Sequence, residues 1–352
     1  MTCVMYSDQN MSNRFSEIGS EFWIEDYPKD IQYSRDGVYV LSGRTAIDLI
    51  IQDILKHRHA RTVYMPAWCC NSMLAPFLQR NIDVSFYDIV YSDKLEYIFD
   101  EASSYDIFYL TNYFGYENSI SLDQIRKIKN TGATIIYDRT HSFFMCDDVY
   151  INIADYSFAS IRKWLGVIGG AVVEGIGSQT LKNCPYVNGK VSAMLDKYRF
   201  LSGETIRKEE LLGAFSQFNN LLANDYRDYK MDDLSYTLYK REDQKTIIQK
   251  RRANAAYLHE NLLEMSFIGE LTENAVPLFV PIIFKNKEQR DVVRQNLIRK
   301  QIYCPIHWPK SEYIPQEYSV NDLYDRSLSI ICDQRYGLRE MQLQVETIKQ
   351  SI

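Results

Sequence analysis

The chain has 352 residues, more than one hydrophobic core usually serves, so a large domain with a smaller companion is expected. Charged residues at 24% and apolar residues at 46% are ordinary for a soluble globular protein, and a net charge of −6 provides no basic footprint for nucleic acid or an anionic membrane. The expected guest is a small molecule, with no nucleic-acid and no membrane partner, and the polar first twenty residues suggest a cytoplasmic protein.

Seven cysteines are scattered, and the adjacent Cys69 and Cys70 cannot form a Cys-x-x-Cys metal knuckle, so reduced thiols and no metal are expected. The five histidines show no metal spacing, and His57 and His59 read as a solvated pair at a helix end. The 27 tyrosines and 16 phenylalanines suit a core, an interface or a ligand cleft equally well.

In chain order, residues before Tyr33 read as an irregular polar arm that Phe22-Trp23 anchors onto the main domain or a partner subunit. A strand-like run from Gly37 ends at Ser42-Gly43, and apolar residues at 46, 47, 50, 51, 54 and 55 have a helical repeat. Ser42 to Thr45 then sits at a helix N-terminus, which suits a phosphate and equally an ordinary Ser N-cap. Strands are expected at Thr62 to Pro66, Ile82 to Asp88, Ile107 to Gly115 and Ala133 to Asp138, with a helix starting after Ala67 and a capped helix from Ser121 to Asn130. This alternation predicts a mostly parallel α/β sheet with its site along the C-terminal edge of the strands.

The stretch Tyr137 to Gly170 carries the chemistry. Asp138 closes an apolar strand, and Lys163 follows on a Ser160-x-x-Lys163 turn. Pyridoxal phosphate needs a carboxylate against its ring nitrogen, a role for Asp138, and an easily deprotonated Lys to hold its aldehyde as a Schiff base. Lys163 beside Arg162 fits, because a neighbouring cation and burial both lower a Lys pKa. Ser160 is placed to offer a hydroxyl to the phosphate, and Gly169-Gly170 lets the chain turn tightly into the next strand. Each residue alone also suits a common turn or a solvated surface; the combination points to the cofactor.

Beyond Val173, residues Gln179 to Asp233 read as charged and helical, and Tyr239 to Met265 as one long helix bridging to a compact α+β unit. That unit has expected strands at Pro277 to Phe284, Ile302 to Trp308 and Ser327 to Cys332, and helices at Lys287 to Lys300 and Leu338 to Gln350. The expected division is a cofactor-binding large domain over 1–240 and a small domain over 241–352.

Across roughly residues 17 to 350 the chain resembles the DegT/DnrJ/StrS family of sugar aminotransferases, fold type I pyridoxal phosphate enzymes. The resemblance runs through Ser42-Gly-Arg-Thr-Ala46, Met65-Pro-Ala-Trp-Cys-Cys70, Asn112-Tyr-Phe-Gly115, Asp138-Arg-Thr-His141, Ser160-Ile-Arg-Lys163, His307-Trp-Pro309 and Asp333-Gln-Arg-Tyr336. It implies an aminotransferase that moves an amino group from an amino acid, glutamate by expectation, to a keto sugar carried on a nucleotide, and a homodimer with sites completed across the interface. It also implies Lys163 as the Schiff-base residue, Asp138 as the pyridinium partner, His141 on the cofactor's ring oxygen, and Gly43, Arg44, Thr45 and Ser160 around the phosphate. Ser157 competes with Ser160 because the family's serine often lies further before the Lys. Trp68 is the chosen ring-stacking aromatic, although an exact alignment from Pro66 puts Cys70 at that place. Asn112, His307 and Arg335 are candidate substrate contacts, with Trp308 beside them. Two other readings are a sugar dehydratase or lyase, which the retained Lys163 disfavours, and a binding protein that kept the fold but lost turnover.

Overall fold

The structure, a computed structural model, describes residues 17–26, 28–30, 37–100, 104–117, 120–145 and 147–352. In chain order the first half contains β1 (Ile18–Gly19), β2 (Val38–Val40), α1 (Gly43–His57), β3 (Thr62–Pro66), α2 (Asn71–Leu78), β4 (Asp83–Tyr91), β5 (Leu95–Ile98), β6 (Ile107–Thr111), α3 (Leu122–Asn130), β7 (Thr134–Asp138), β8 (Tyr156–Ser160) and β9 (Ala171–Glu174). The second half contains α4 (Val187–Leu201), α5 (Lys208–Asn224), α6 (Asp233–Arg241), α7 (Gln244–Asn261), β10 (Ser266–Phe267), β11 (Val280–Ile283), α8 (Lys287–Arg299), β12 (Ile302–Tyr303), α9 (Val320–Arg326), β13 (Ser327–Ile330) and α10 (Leu338–Lys349).

Eight strands form one sheet in the order β2-β9-β8-β7-β6-β3-β4-β5. Neighbours from β8 through β4 run parallel, and β9, β2 and β5 add antiparallel pairings at the two ends. Every residue of β6 and β7 is buried, as continuous apolar strands covered on both faces should be. Parallel strands end on the same edge, so Thr111, Asp138 and Ser160 emerge together. Register brings β2 to that edge as well, because Ala171 pairs with both Val40 and Ser160. The N-terminus of α1 therefore starts beside the end of β8.

A smaller antiparallel sheet, β10-β11-β13, packs its apolar residues with α7, α8 and α10 around Leu258, Val280, Val293, Leu328 and Met341. The strands expected over Ile107 to Gly115 and Pro277 to Phe284 are shorter, Ile107–Thr111 and Val280–Ile283, and two further expected elements differ more. The single helix from Tyr239 to Met265 is two helices, broken where the Asp243 carboxylate accepts from the N–H groups of Lys245 (3.1 Å) and Thr246 (3.3 Å) and starts α7 afresh. An Asp is favoured as an N-cap over a helix interior because its side chain satisfies first-turn N–H groups. The strand expected over Ile302 to Trp308 pairs only at Ile302 and Tyr303, since Pro305 lacks an N–H to continue a ladder.

The described part of the arm is seated within its own chain. Ile18 and Gly19 pair in parallel with β12, and the Glu17 carboxylate accepts from the ammonium groups of Lys197 and Lys208. Phe22 and Trp23 flank the Arg335 guanidinium at 3.9 and 4.9 Å, which answers the alternatives of main domain or partner in favour of an intrachain seat. Trp23 also crosses the chain just beyond Lys163: a Cβ on Gly166 would come within 2.6 Å of its carbonyl oxygen. Among the described residues no helix is long and apolar enough to cross a membrane.

Candidate active site

At the shared edge lies a narrow cleft walled by charged and polar side chains. It is lined by the start of α1 (Ser42, Gly43, Arg44), the β3–α2 turn (Cys70), the ends of β7 and β8 (Asp138, Thr140, His141, Ser160), the turn after β8 (Arg162, Lys163), and Trp308. A wider groove between β5 and β10 has about 1570 Å³ of empty volume, lined by Tyr91, Tyr97, Tyr116 and His259. That groove has acidic side chains and one lysine at its rim but no lysine facing a buried carboxylate, so the smaller cleft holds the chemistry.

Asp138 is buried, with Oδ2 accepting from the Tyr109 hydroxyl at 2.7 Å and Oδ1 from the Thr140 N–H at 2.9 Å. Burial pushes its pKa up, while those hydrogen bonds and the charge of Lys163 oppose the rise. Water reaches Lys163 through the cleft, so surface area alone makes it exposed, yet protein surrounds it as densely as a buried group. The second description governs its charge: desolvation first, and then the neighbouring Arg162, lower its pKa. An amine so placed gives up its proton readily, as a nucleophile or base must.

His141 is held by its backbone neighbour. Its Nδ1 accepts from the Phe114 N–H at 3.1 Å, which assigns the proton of the neutral ring to Nε2, and the ring stacks on Trp308 with centroids 5.6 Å apart. Burial, followed by the charge of Lys163, lowers its pKa to about 3, so the imidazole is neutral at pH 7 and its Nε2–H is a donor.

The start of α1 fits a phosphate. Ser42 caps the helix by accepting from the Thr45 N–H, leaving the Gly43 and Arg44 N–H groups in the first turn, where no helical carbonyl can reach them. A Cβ on Gly43 would lie 3.4 Å from the Ser160 Cβ, so the helix start and the end of β8 wall this corner closely. Arg44 hydrogen-bonds the Leu222 carbonyl through one terminal nitrogen, while its Nε is buried without a partner. An anion at this corner would find N–H groups, the Ser160 hydroxyl and an unmatched guanidinium nitrogen. With a carboxylate, a donor imidazole and a lysine amine on the adjoining walls, this donor set fits pyridoxal phosphate.

The structure thus brings together Gly43, Arg44, Asp138, His141, Ser160 and Lys163, and leaves five candidates outside the cleft lining. Thr45 turns its hydroxyl to the Tyr226 carbonyl at 2.8 Å. Trp68 is fully buried behind Trp308, donating Nε1–H to the His307 carbonyl at 3.0 Å, and Cys70 lines the cleft instead. Asn112 braces its own loop, accepting from the Gly115 N–H and donating to the Tyr116 carbonyl. His307 lies behind His141 with Nδ1 2.8 Å from the Ser329 hydroxyl, and Arg335 is committed to Asp333 and the arm. Between the two serines, Ser160 lines the cleft and Ser157 donates to Glu174 at the other end of β8.

Tyr109 and Thr140 were missed by sequence reasoning. Tyr109 looks like one more residue of an apolar strand, though a tyrosine inside a fully buried strand needs a partner for its hydroxyl, and that requirement was the available signal. Thr140 ties the site together: its Oγ1 accepts from the Ser160 N–H at 3.1 Å, and its carbonyl accepts from Trp164 Nε1–H at 2.6 Å.

No family model and no curated protein matches the sequence. Solved structures do match. NtdA from Bacillus subtilis, solved with bound cofactor PMP, is 14% identical with a TM-score of 0.63 over 90% of this chain and 73% of its own. The sugar aminotransferase CalS13 from Micromonospora echinospora is 12% identical with a TM-score of 0.60, covering 89% and 86%. A DegT/DnrJ/EryC1/StrS aminotransferase from Brucella abortus is 15% identical with a TM-score of 0.60, covering 89% and 85%. The chain has the fold of these aminotransferases, fold type I, over most of its length.

Proposed function

We propose that the protein is a pyridoxal phosphate-dependent aminotransferase of the DegT/DnrJ/StrS kind, moving an amino group from an amino acid, glutamate, to a keto sugar carried on a nucleotide, in amino-sugar or cell-surface polysaccharide biosynthesis. One observation carries the reading: Lys163, Asp138 and the anion corner at α1 line a single cleft on the edge of the sheet, in a fold shared with sugar aminotransferases. Bound there, pyridoxal phosphate supplies an electron sink for the bond broken at the amine-bearing carbon.

The chain's own residues do the rest. Asp138, whose carboxylate accepts from Tyr109 and Thr140, would face the ring nitrogen; Gly43, Arg44 and Ser160 would hold the phosphate; His141 would donate Nε2–H to the ring oxygen. Lys163 would hold the aldehyde and, with its amine free, would move a proton at Nζ to and from the substrate carbon, a task its lowered pKa suits. The retained lysine favours transamination over dehydration.

The same proposal divides the chain into a cofactor domain over 1–240 and a small domain over 241–352, and makes the working unit a homodimer on the strength of the family resemblance. It places the protein in the cytoplasm, where the free thiols of Cys69, Cys70, Cys304 and Cys332 stay reduced. The test is to add glutamate to the loaded protein. A loss of the cofactor's aldehyde absorbance with stoichiometric 2-oxoglutarate, reversed by a keto sugar nucleotide, is expected; no response to any amino acid would overturn the reading.

A further inference from the structure

Three cations line the cleft, Arg44, Arg162 and Lys163, and Asp138 is the one carboxylate among the lining residues. Two of the cations have employment in the reaction already described: Lys163 bonds the aldehyde, and Arg44 stands at the phosphate corner. Arg162 has none. Among the described residues its guanidinium makes no hydrogen bond and no ion pair, although the side chain is half-buried and faces the cleft. Glu21, the carboxylate whose charge it feels, is already bound by Lys190 at 3.4 Å and Asn219 at 3.2 Å. A guanidinium held in a cleft and left uncommitted by the scaffold calls for an anion from the guest.

We propose that Arg162 receives the α-carboxylate of the amino donor, an assignment that rests on the aminotransferase reading above. Connectivity selects this anion. The donor's α-carboxylate is bonded to the very carbon whose nitrogen takes the place of Lys163, so its receptor has to stand next to Lys163, as the preceding residue does. A nucleotide diphosphate is separated from the reacting carbonyl by several bonds of the sugar ring and would need its receptor further out. The planar guanidinium fork also matches a carboxylate through two parallel hydrogen bonds, which a lysine ammonium cannot reproduce.

The placement has a second effect. The positive charge of Arg162 helps to lower the proton affinity of Lys163, so a carboxylate arriving on Arg162 weakens that repulsion and strengthens the base just when the donor is in place. Donor binding and proton transfer are thereby coupled through two adjacent side chains.

The experiment titrates loaded wild-type protein, Arg162→Gln and Arg162→Lys with 2-methylalanine, an amino acid without the hydrogen that transamination removes, and with isopropylamine, the same amine without its carboxylate. Binding is followed by cofactor absorbance. Arg162→Gln should weaken 2-methylalanine by about a hundredfold and Arg162→Lys by about tenfold, the loss of a bidentate or half of one, while isopropylamine changes less than about twofold. Retention of the cofactor spectrum in either variant shows that the cleft is intact. Equal loss for both amines, or no loss for 2-methylalanine, overturns the assignment; so does a variant that binds 2-methylalanine normally but loses uridine diphosphate, which would make Arg162 a receptor for the acceptor. A wild-type protein that responds to neither amine defeats the aminotransferase reading, and the receptor falls with it; a responsive wild type matched by Arg162→Gln defeats the receptor alone.

Discussion

Asp138 concentrates the physical tension of the site. Burial favours its neutral form, whereas the proposed reaction uses its charge, and the Tyr109 hydroxyl and Thr140 N–H are groups that oppose the effect of burial. Asp138→Asn should keep the cofactor bound but lose about 3 kcal/mol of transition-state stabilisation, a little over a hundredfold in the glutamate half-reaction measured by stopped flow. His141 makes a different demand, on stability. Its native pKa is about 3 while an unfolded histidine titrates near 6.5, so below roughly pH 6.5 the unfolded chain binds a proton that the native chain does not. Stability should therefore fall as pH drops from about 6.5 toward 3, and the buried His307 adds to the same trend. Urea midpoints at pH 7.5 and 5 would show the loss, and His141→Gln should shrink the difference between them. At this scale the sequence reveals the residues whose chemistry is peculiar to the cofactor, Asp138 and Lys163, because few other tasks combine them. It does not say that Cys70 rather than Trp68 faces the cleft, since two residues apart on an irregular turn carry no periodicity to decide direction.

Among elements, the strands of the large sheet are legible because a run such as Ile107 to Thr111 is mostly apolar and aromatic and bounded by turns. The break between α6 and α7 is less legible: Arg241, Glu242, Asp243 and Gln244 are all tolerated on a solvated helix face, and only the local competition of the Asp243 side chain for N–H groups starts a new helix. Asp243→Ala should cost about 1 kcal/mol of stability in urea denaturation, the usual worth of an N-cap, where a residue inside one continuous helix would cost nothing. Sequence also hides the seat of the arm, because Arg335 lies more than three hundred residues from Phe22. There the guanidinium is buried against Asp333 at 2.8 Å and between two aromatic rings. Arg335→Met leaves Asp333 buried without its cation and should destabilise the protein by about 3 kcal/mol or more, with the arm released to proteolysis first.

For the whole molecule, the arm links the Lys163 turn to the C-terminal part of the chain: β1 pairs with β12, Phe22 and Trp23 hold Arg335, and Trp23 passes over Gly166. The proposed homodimer rests on the family resemblance. Sedimentation equilibrium should find a dimer at assay concentrations, and deletion of residues 1–24 should cost cofactor retention more than it costs association. All of this depends on one covalent attachment. Borohydride reduction of the loaded protein, followed by peptide mass mapping, should place the pyridoxyl label on Lys163; a label on any other lysine, or no fixed label at all, would contradict the account.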